Sequence, residues 1–306
     1  MFILFIYIHI NDQYKKSEDL EVYEMDYVSN TKLQEVCNVK QPILFQFSQI
    51  YPDIFEHIGE LQSKKTENSD VKVKDVLDYW NPENDSSAGP SVDPIILPFR
   101  SFEGLSKSDP TGHYFMEDNP DFLEDNPDFF DEIRELDAFL KPVFTIHSKY
   151  DCLMGSKGAA TPLRYHTDYR KFAIVSKGKI SVKMTPWKSR KYLHCVKDYD
   201  NYEFWSRVNP WAPQKEYMND AEKVKFLEFE VVEGHVLYIP PYWWYSIKFY
   251  SCETVLLNVE YQTAMNVCAN AYDLSRYYLQ FHNTKRKIAR TLDIPANISL
   301  ETPTEL

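Results

Sequence analysis

Between residues 141 and 262 the chain is written almost entirely in short β-branched and aromatic runs, each closed by a turn signal. VFTIHS gives way to RKFAIVSKGKISVKMTPW, then to KVKFLEFEVVEGHVLYIPPYWWYSIKF, then to ETVLLNVEYQT. Strands of this length and spacing predict a β-sandwich or barrel and argue against a parallel βαβ sheet. Ser176-Lys177-Gly178-Lys179 reads as a tight turn. Pro240-Pro241 stops a strand, because proline cannot donate to the ladder.

Around this core the chain divides into zones. Residues 1–20 open with the apolar run Phe2–Ile10, interrupted only by His9. It is too short to span a bilayer and lacks the flanks of a signal peptide, so it reads as a buried strand or helix. Its other reading is the remnant of a longer anchor, which would add membrane association. Residues 21–140 read as an αβ extension with a polar surface loop over 63–94 and a short helix over Val71–Trp80. Asn30 reads as an N-cap, and the acidic cluster around 117–132 as a solvated face. Residues 263–306 turn helical and carry the densest basic run, KRKIAR.

Composition narrows the function. Apolar residues at 43% are enough for a sizeable core. The formal net charge of −12 argues against nucleic-acid partners, which demand clustered basic charge. An acidic surface suits a basic peptide better than DNA. Five cysteines, an odd number without CxxC spacing, predict an intracellular, reducing compartment rather than a disulfide framework or structural zinc. Cys152 and Cys195 read as core, and His147, His194, His235 and His282 as structural.

One spacing carries metal chemistry. On a strand, His166 and Asp168 point to the same face, so an imidazole and a carboxylate converge. That is two-thirds of a facial triad for iron(II), which needs a second histidine on a facing strand. The aromatic pair Trp243-Trp244 is followed by Tyr245 where such a ligand would be wanted.

GSKGAATPLRYH, KGKISVKMTPW and EGHVLYIPPYWWYSIKF, with the upstream KQPILFQF, HYFMEDNP and ELDAFLKP, resemble the JmjC and cupin-like branch of the Fe(II)/2-oxoglutarate oxygenases. Within that branch the chain resembles the protein-hydroxylase-like members, of the type that hydroxylate asparagine in transcription factors, and the resemblance covers roughly residues 20–265. It implies a mainly β chain with α extensions around a double-stranded β-helix, the jelly-roll barrel. It also implies a homodimer through the C-terminal helices.

The family's metal ligands are altered. Aligned without a gap, Arg164 falls at the first histidine ligand, His166 at the aspartate and Tyr245 at the second histidine. A register shifted by two residues restores His166 and Asp168 and leaves Tyr245 as the third position. The ungapped register also keeps Thr161 and Lys179 in place and is preferred. The resemblance further implies that Lys179, Thr161 and Asn258 hold 2-oxoglutarate. Arginine cannot bind a metal ion, so iron(II) is not expected.

Two functions follow. The first is a catalytically inactive or altered cupin-like module that binds an anion or peptide, or acts as a scaffold for a protein partner. The second is an active 2-oxoglutarate-dependent protein hydroxylase or demethylase that uses His166, Asp168 and a non-standard third ligand.

Overall fold

The computed structural model describes residues 2–56, 68–80, 91–125 and 127–282. Its strands, in chain order, are β1 (Tyr23–Glu24), β2 (Ile43–Gln46), β3 (Asp70–Asp75), β4 (Ile95–Pro98), β5 (Tyr114–Met116), β6 (Thr145–Gly155), β7 (Arg164–Tyr165) and β8 (Arg170–Lys177). They continue with β9 (Lys179–Thr185), β10 (Cys195–Asp198), β11 (Glu203–Ser206), β12 (Leu227–Val232), β13 (His235–Ile239), β14 (Trp244–Phe249) and β15 (Val255–Thr263). Nine form one sheet in the order β1-β2-β13-β8-β15-β6-β5-β3-β4, and six form the other in the order β10-β11-β7-β14-β9-β12. All pairings are antiparallel except β1 with β2. The two facing sheets with their crossovers are the jelly-roll expected from the sequence.

Strand alternation sorts the side chains into two cores. Ala173, Val175, Leu237 and Leu256 of the larger sheet pack against Ile180, Val182, Met184 and Ile247 of the smaller one, inside the barrel. Phe172, Ile174, Leu257 and Val259 point the other way, under helices that bring Leu33, Phe102, Phe129 and Ile133. The centre of the larger sheet is therefore covered on both faces, and β8 is buried over Arg170–Ser176 with no exposed alternate residues. The smaller sheet keeps one wet face, and β9 alternates: Ile180, Val182 and Met184 are buried while Lys179, Ser181 and Lys183 are less so.

The turn between β8 and β9 requires Gly178. Its φ of +80° is left-handed, and a Cβ there would lie 2.9 Å from Thr254 Oγ1. The PPYWW stop is a second special turn. Trp243 donates its N–H to the Pro240 carbonyl, and Tyr242 takes φ +64° at a place where such turns favour glycine. Its backbone N–H donates to the carbonyl of His166 at 3.0 Å, tying this turn to the segment after β7.

Several expectations are corrected. Val71–Trp80 is not one helix: β3 takes Asp70–Asp75, and only Val76–Trp80 is helical. Valine at 71 and 73 fills the core face of β3, a strand period. Helix Asn30–Cys37 is capped by Ser29, whose hydroxyl accepts the Lys32 N–H, not by Asn30. Phe2–Gln13 is a helix but not a buried one. It lies against helix Ala264–Ala269 while Ile3, Leu4, Phe5, Tyr7 and Ile8 stay exposed. Cys195 is exposed because β10 is an edge strand. Among the described residues no helix is long and apolar enough to cross a membrane, and all five thiols are free. Helix Ala271–Phe281 exposes Tyr272, Tyr278 and Leu279. The basic run KRKIAR and much of the 63–94 loop lie outside the described residues.

Candidate functional site

One mouth of the barrel opens into a cavity of about 620 Å³. β7 delivers Arg164, the segment after it delivers His166 and Asp168, and β14 delivers Tyr245. Arg164 and Tyr245 are direct partners across the β7–β14 ladder. All four ligand-position residues therefore meet at one place, and Arg164 is turned inward with them.

The guanidinium is almost sealed from water, and both of its terminal nitrogens are engaged with carboxylates. Its Nη1 donates to Glu117 Oε2 at 2.7 Å and to Glu203 Oε1 at 2.9 Å, while Nη2 donates to Glu117 Oε1. Behind it lies Lys74, 3% exposed, with Nζ 3.4 Å from Glu117, 3.2 Å from Asp118 and 3.3 Å from Glu203. Tyr79 closes the cluster by donating to Glu203 Oε2 at 2.9 Å. Burial alone would discharge Lys74, but the surrounding carboxylates hold its pKa well above the usual lysine value. Burial likewise opposes ionisation of Glu117, and Arg164 and Lys74 outweigh it. Each charge is thus kept by its neighbours.

Asp118 extends the network. It has φ +60°, a conformation aspartate tolerates better than most residues. This aims its carboxylate at Lys149, 2.6 Å away, as well as at Lys74. The same turn sends the N–H groups of Asp118 and Asn119 to Asp151, at 2.8 and 2.9 Å. Burial and then the charge on Asp118 push Asp151 up to about 7. On the far wall Lys171 pairs with Glu260, and its ammonium lies 5.5 Å from the centre of the Tyr245 ring. The acidic residues at 117 and 118, read from sequence as part of a solvated face, belong to this site. Glu117 is 4% exposed.

His166 is held from two sides. Its Nε2 lies 2.9 Å from the Ile239 carbonyl, and its own carbonyl takes the Tyr242 N–H. Its Nδ1 faces Asp168 Oδ2 at 3.5 Å, and burial, which would raise the Asp168 carboxyl, is outweighed by its contacts with His166 and Gln262, which hold it below the usual carboxylate range. Asp168 accepts from Gln262 Nε2 at 2.7 Å. His147, read as structural, stands on the cavity wall.

The residues expected to hold 2-oxoglutarate are scattered. Lys179 lies on the outer face of β9, where its Nζ reaches both Glu230 oxygens at 3.0 Å. Strand alternation puts it there with Ser181 and Lys183, away from the cavity. Thr161 is buried, but its hydroxyl accepts the Ile247 N–H at 3.0 Å and so closes a strand contact. Asn258 alternates with Leu256 and Glu260 on the inner face of β15, and its Oδ1 has no hydrogen-bond donor among the described residues.

The donor set does not fit an iron(II)–2-oxoglutarate pair. His166 and Asp168 offer two ligands, and among the described residues no group of three His, Cys, Asp or Glu is placed to hold a metal ion. Beside them stands a permanent cation, Arg164, which would repel a metal ion. Sequence reasoning missed Glu117, Glu203, Lys74 and Lys171. The trace available to it was Lys171, set directly against the apolar run 172–175 of β8; the alternation of β3 gave no such signal.

No curated protein matches the chain. A family described as cupin-like domain matches residues 12–267, most of the chain's length. With the two-sheet barrel and its charged mouth, this match makes the chain a member of the cupin-like domain family.

Proposed function

We propose that this chain is a non-catalytic cupin-like module whose barrel mouth binds a peptide segment of a protein partner. The observation that carries this reading is the cluster of Arg164 with Glu117, Glu203 and Lys74. It fills, with a balanced set of the protein's own charges, the place where the oxygenases that the sequence resembles would hold iron. Arg164, Lys149 and Lys171 each already hold a carboxylate, so the site favours a peptide over a small anion. A cavity of about 620 Å³ is large enough for side chains, and Tyr202, Tyr277 and Leu274 give it an apolar flank. Fold membership by itself confers no activity.

Anaerobic titration of metal-free protein with Fe(II), with and without 2-oxoglutarate, tests this. The expected result is no saturable charge-transfer band. A band reaching saturation near one iron per chain would overturn the proposal in favour of a hydroxylase or demethylase built on His166 and Asp168.

A further inference from the structure

Strand β6 is 11 residues long, but its two neighbours cover it unequally. β15 pairs with it from Thr145 to Met154. On the other side β5 has only 3 residues and meets only Met154 and Gly155. Among the described residues no other main-chain group bonds to Ile146–Tyr150 on that side. Every second residue of an antiparallel strand directs its N–H and C=O away from its partner, so these groups stand open. The gap lies at the barrel mouth, where Ile146, His147 and Lys149 line the cavity. A lysine often guards such an edge, but Lys149 is turned to Asp118.

Just before this edge the chain forms an apolar lip. Val143, Phe144 and Ile146 are 78%, 87% and 60% exposed. Phe144 also takes φ +62°, a left-handed conformation that a bulky residue adopts only at a cost. A phenylalanine this exposed brings little burial of its own to offset that cost, and glycine would fit the turn better. Edge, lip and cavity are continuous, because Ile146 belongs to all three. The cavity itself is acidic in balance: five carboxylates line it against three side-chain cations, Lys149, Arg164 and Lys171.

We infer that the Ile146–Tyr150 edge of β6 takes a basic, extended segment of the partner protein as an added strand. Main-chain hydrogen bonds to the open edge hold the segment, and its alternate side chains enter the cavity. Val143 and Phe144 cover one end of it, which gives the strained turn its use. The surplus of carboxylates selects lysine or arginine on the inward face. A second copy of this chain is the poorer occupant, since each copy carries a net charge of −12. Strand addition rests on the peptide-binding reading of the mouth and specifies how the segment is held.

The test is amide exchange at Ile146–Tyr150 in the full chain, read by NMR, with a blocked heptapeptide of alternating lysine and valine as the probe. In the free chain the outward amides should exchange fast at every protein concentration. With the peptide at about ten times its dissociation constant they should slow roughly tenfold. The same peptide N-methylated at every amide keeps its side chains but loses its main-chain donors, and should leave exchange unchanged. Phe144→Gly should leave the melting temperature unchanged or raise it, and weaken the peptide roughly fivefold or more. No binding, equal protection by the N-methylated peptide, or amides already slow in the free chain would overturn strand addition. So would protection that grows with protein concentration alone, which would assign the edge to a second copy. Binding that leaves these amides untouched would overturn strand addition and keep the peptide-binding reading. A saturable Fe(II) band in the separate titration would instead overturn the non-catalytic reading, so the failures are distinguishable.

Discussion

Arg164 and Tyr245 sit opposite each other on β7 and β14, with the guanidinium carbon 5.6 Å from the centre of the phenol ring. In the ungapped register expected from the sequence, these are the two positions set against the imidazoles of the resembling oxygenases. Here a cation rests near an aromatic face while its other side is held by carboxylates, so the two replacements are complementary. Neither residue could be exchanged alone without disturbing the other's surroundings.

Removing the charge at 164 should be expensive. Arg164→Met leaves Glu117 and Glu203 buried with only Lys74 to balance them, and a cost of about 3–5 kcal/mol is expected. Urea unfolding measures it. Adding Glu117→Gln should recover part of the loss, since the two changes share one interaction. A cost below about 1 kcal/mol would mean that the cluster is solvated and does not act as a unit.

The network also sets the response to pH. Arg164, Lys74 and Lys149 hold Glu117 and Asp118 below the usual carboxylate range against the effect of burial. The stability they bring is present above the unfolded value near 4 and is lost as pH falls below it. Asp151 acts in the opposite sense. Its folded value is pushed up to about 7, so the unfolded chain releases that proton first and stability declines as pH rises from about 4 to about 7. Urea midpoints should therefore peak near about pH 5. A midpoint that keeps rising through neutrality would contradict the role given to Asp151.

Lys179 offers a contrast. It is paired with Glu230 on the outer face of the smaller sheet, and Glu230 is largely exposed. Lys179→Ala is expected to change stability by less than about 1 kcal/mol and to leave ligand binding at the barrel mouth unaltered. Loss of binding in that variant would show that the outer face, not the mouth, holds the ligand.

The two adjacent tryptophans should behave differently. Both are fully buried, but Trp243 donates its Nε1–H to the Lys40 carbonyl at 3.1 Å, whereas the Nε1–H of Trp244 finds no acceptor among the described residues. Replacing each with phenylalanine removes similar volume. Trp243→Phe also leaves a buried carbonyl without its donor, so it should cost about 1–3 kcal/mol more than Trp244→Phe. Thermal melts of the two variants give the comparison. Equal costs would remove the hydrogen bond from the account.

The barrel was legible because its strands are short, β-branched and punctuated, and because Pro240-Pro241 marks where one of them ends. His166 and Asp168 do come within 3.5 Å of each other, but in the irregular segment after β7 and not on the strand whose period was the reason to expect it. The charged cluster was not legible. Glu117 and Glu203 reach Arg164 from 47 and 39 residues away, and no local period links them. In β3, the alternation VKVKD suggests that lysines face water. Lys74 does lie on the polar side of that strand, but there the polar side is the barrel mouth. Lys179 misled for a related reason: a family register fixes a position along the chain, whereas the parity of β9 decides which way the side chain points.

The nine-stranded sheet also constrains how the chain comes to be folded. β13 is completed on one side by β2, pairing Gln46 with His235, and on the other by β8. A chain emerging from the ribosome must make β2 early and then wait through most of its own synthesis before the partner strand exists. Until then β2, with Phe45 and Phe47 beside it, presents an unpaired edge and an apolar face. Closing so long a loop is slow, and the interval leaves an aggregation-exposed intermediate. The extension that precedes the barrel thus carries a strand whose partner is made about 190 residues later, and the β2–β13 pairing ties it to the barrel.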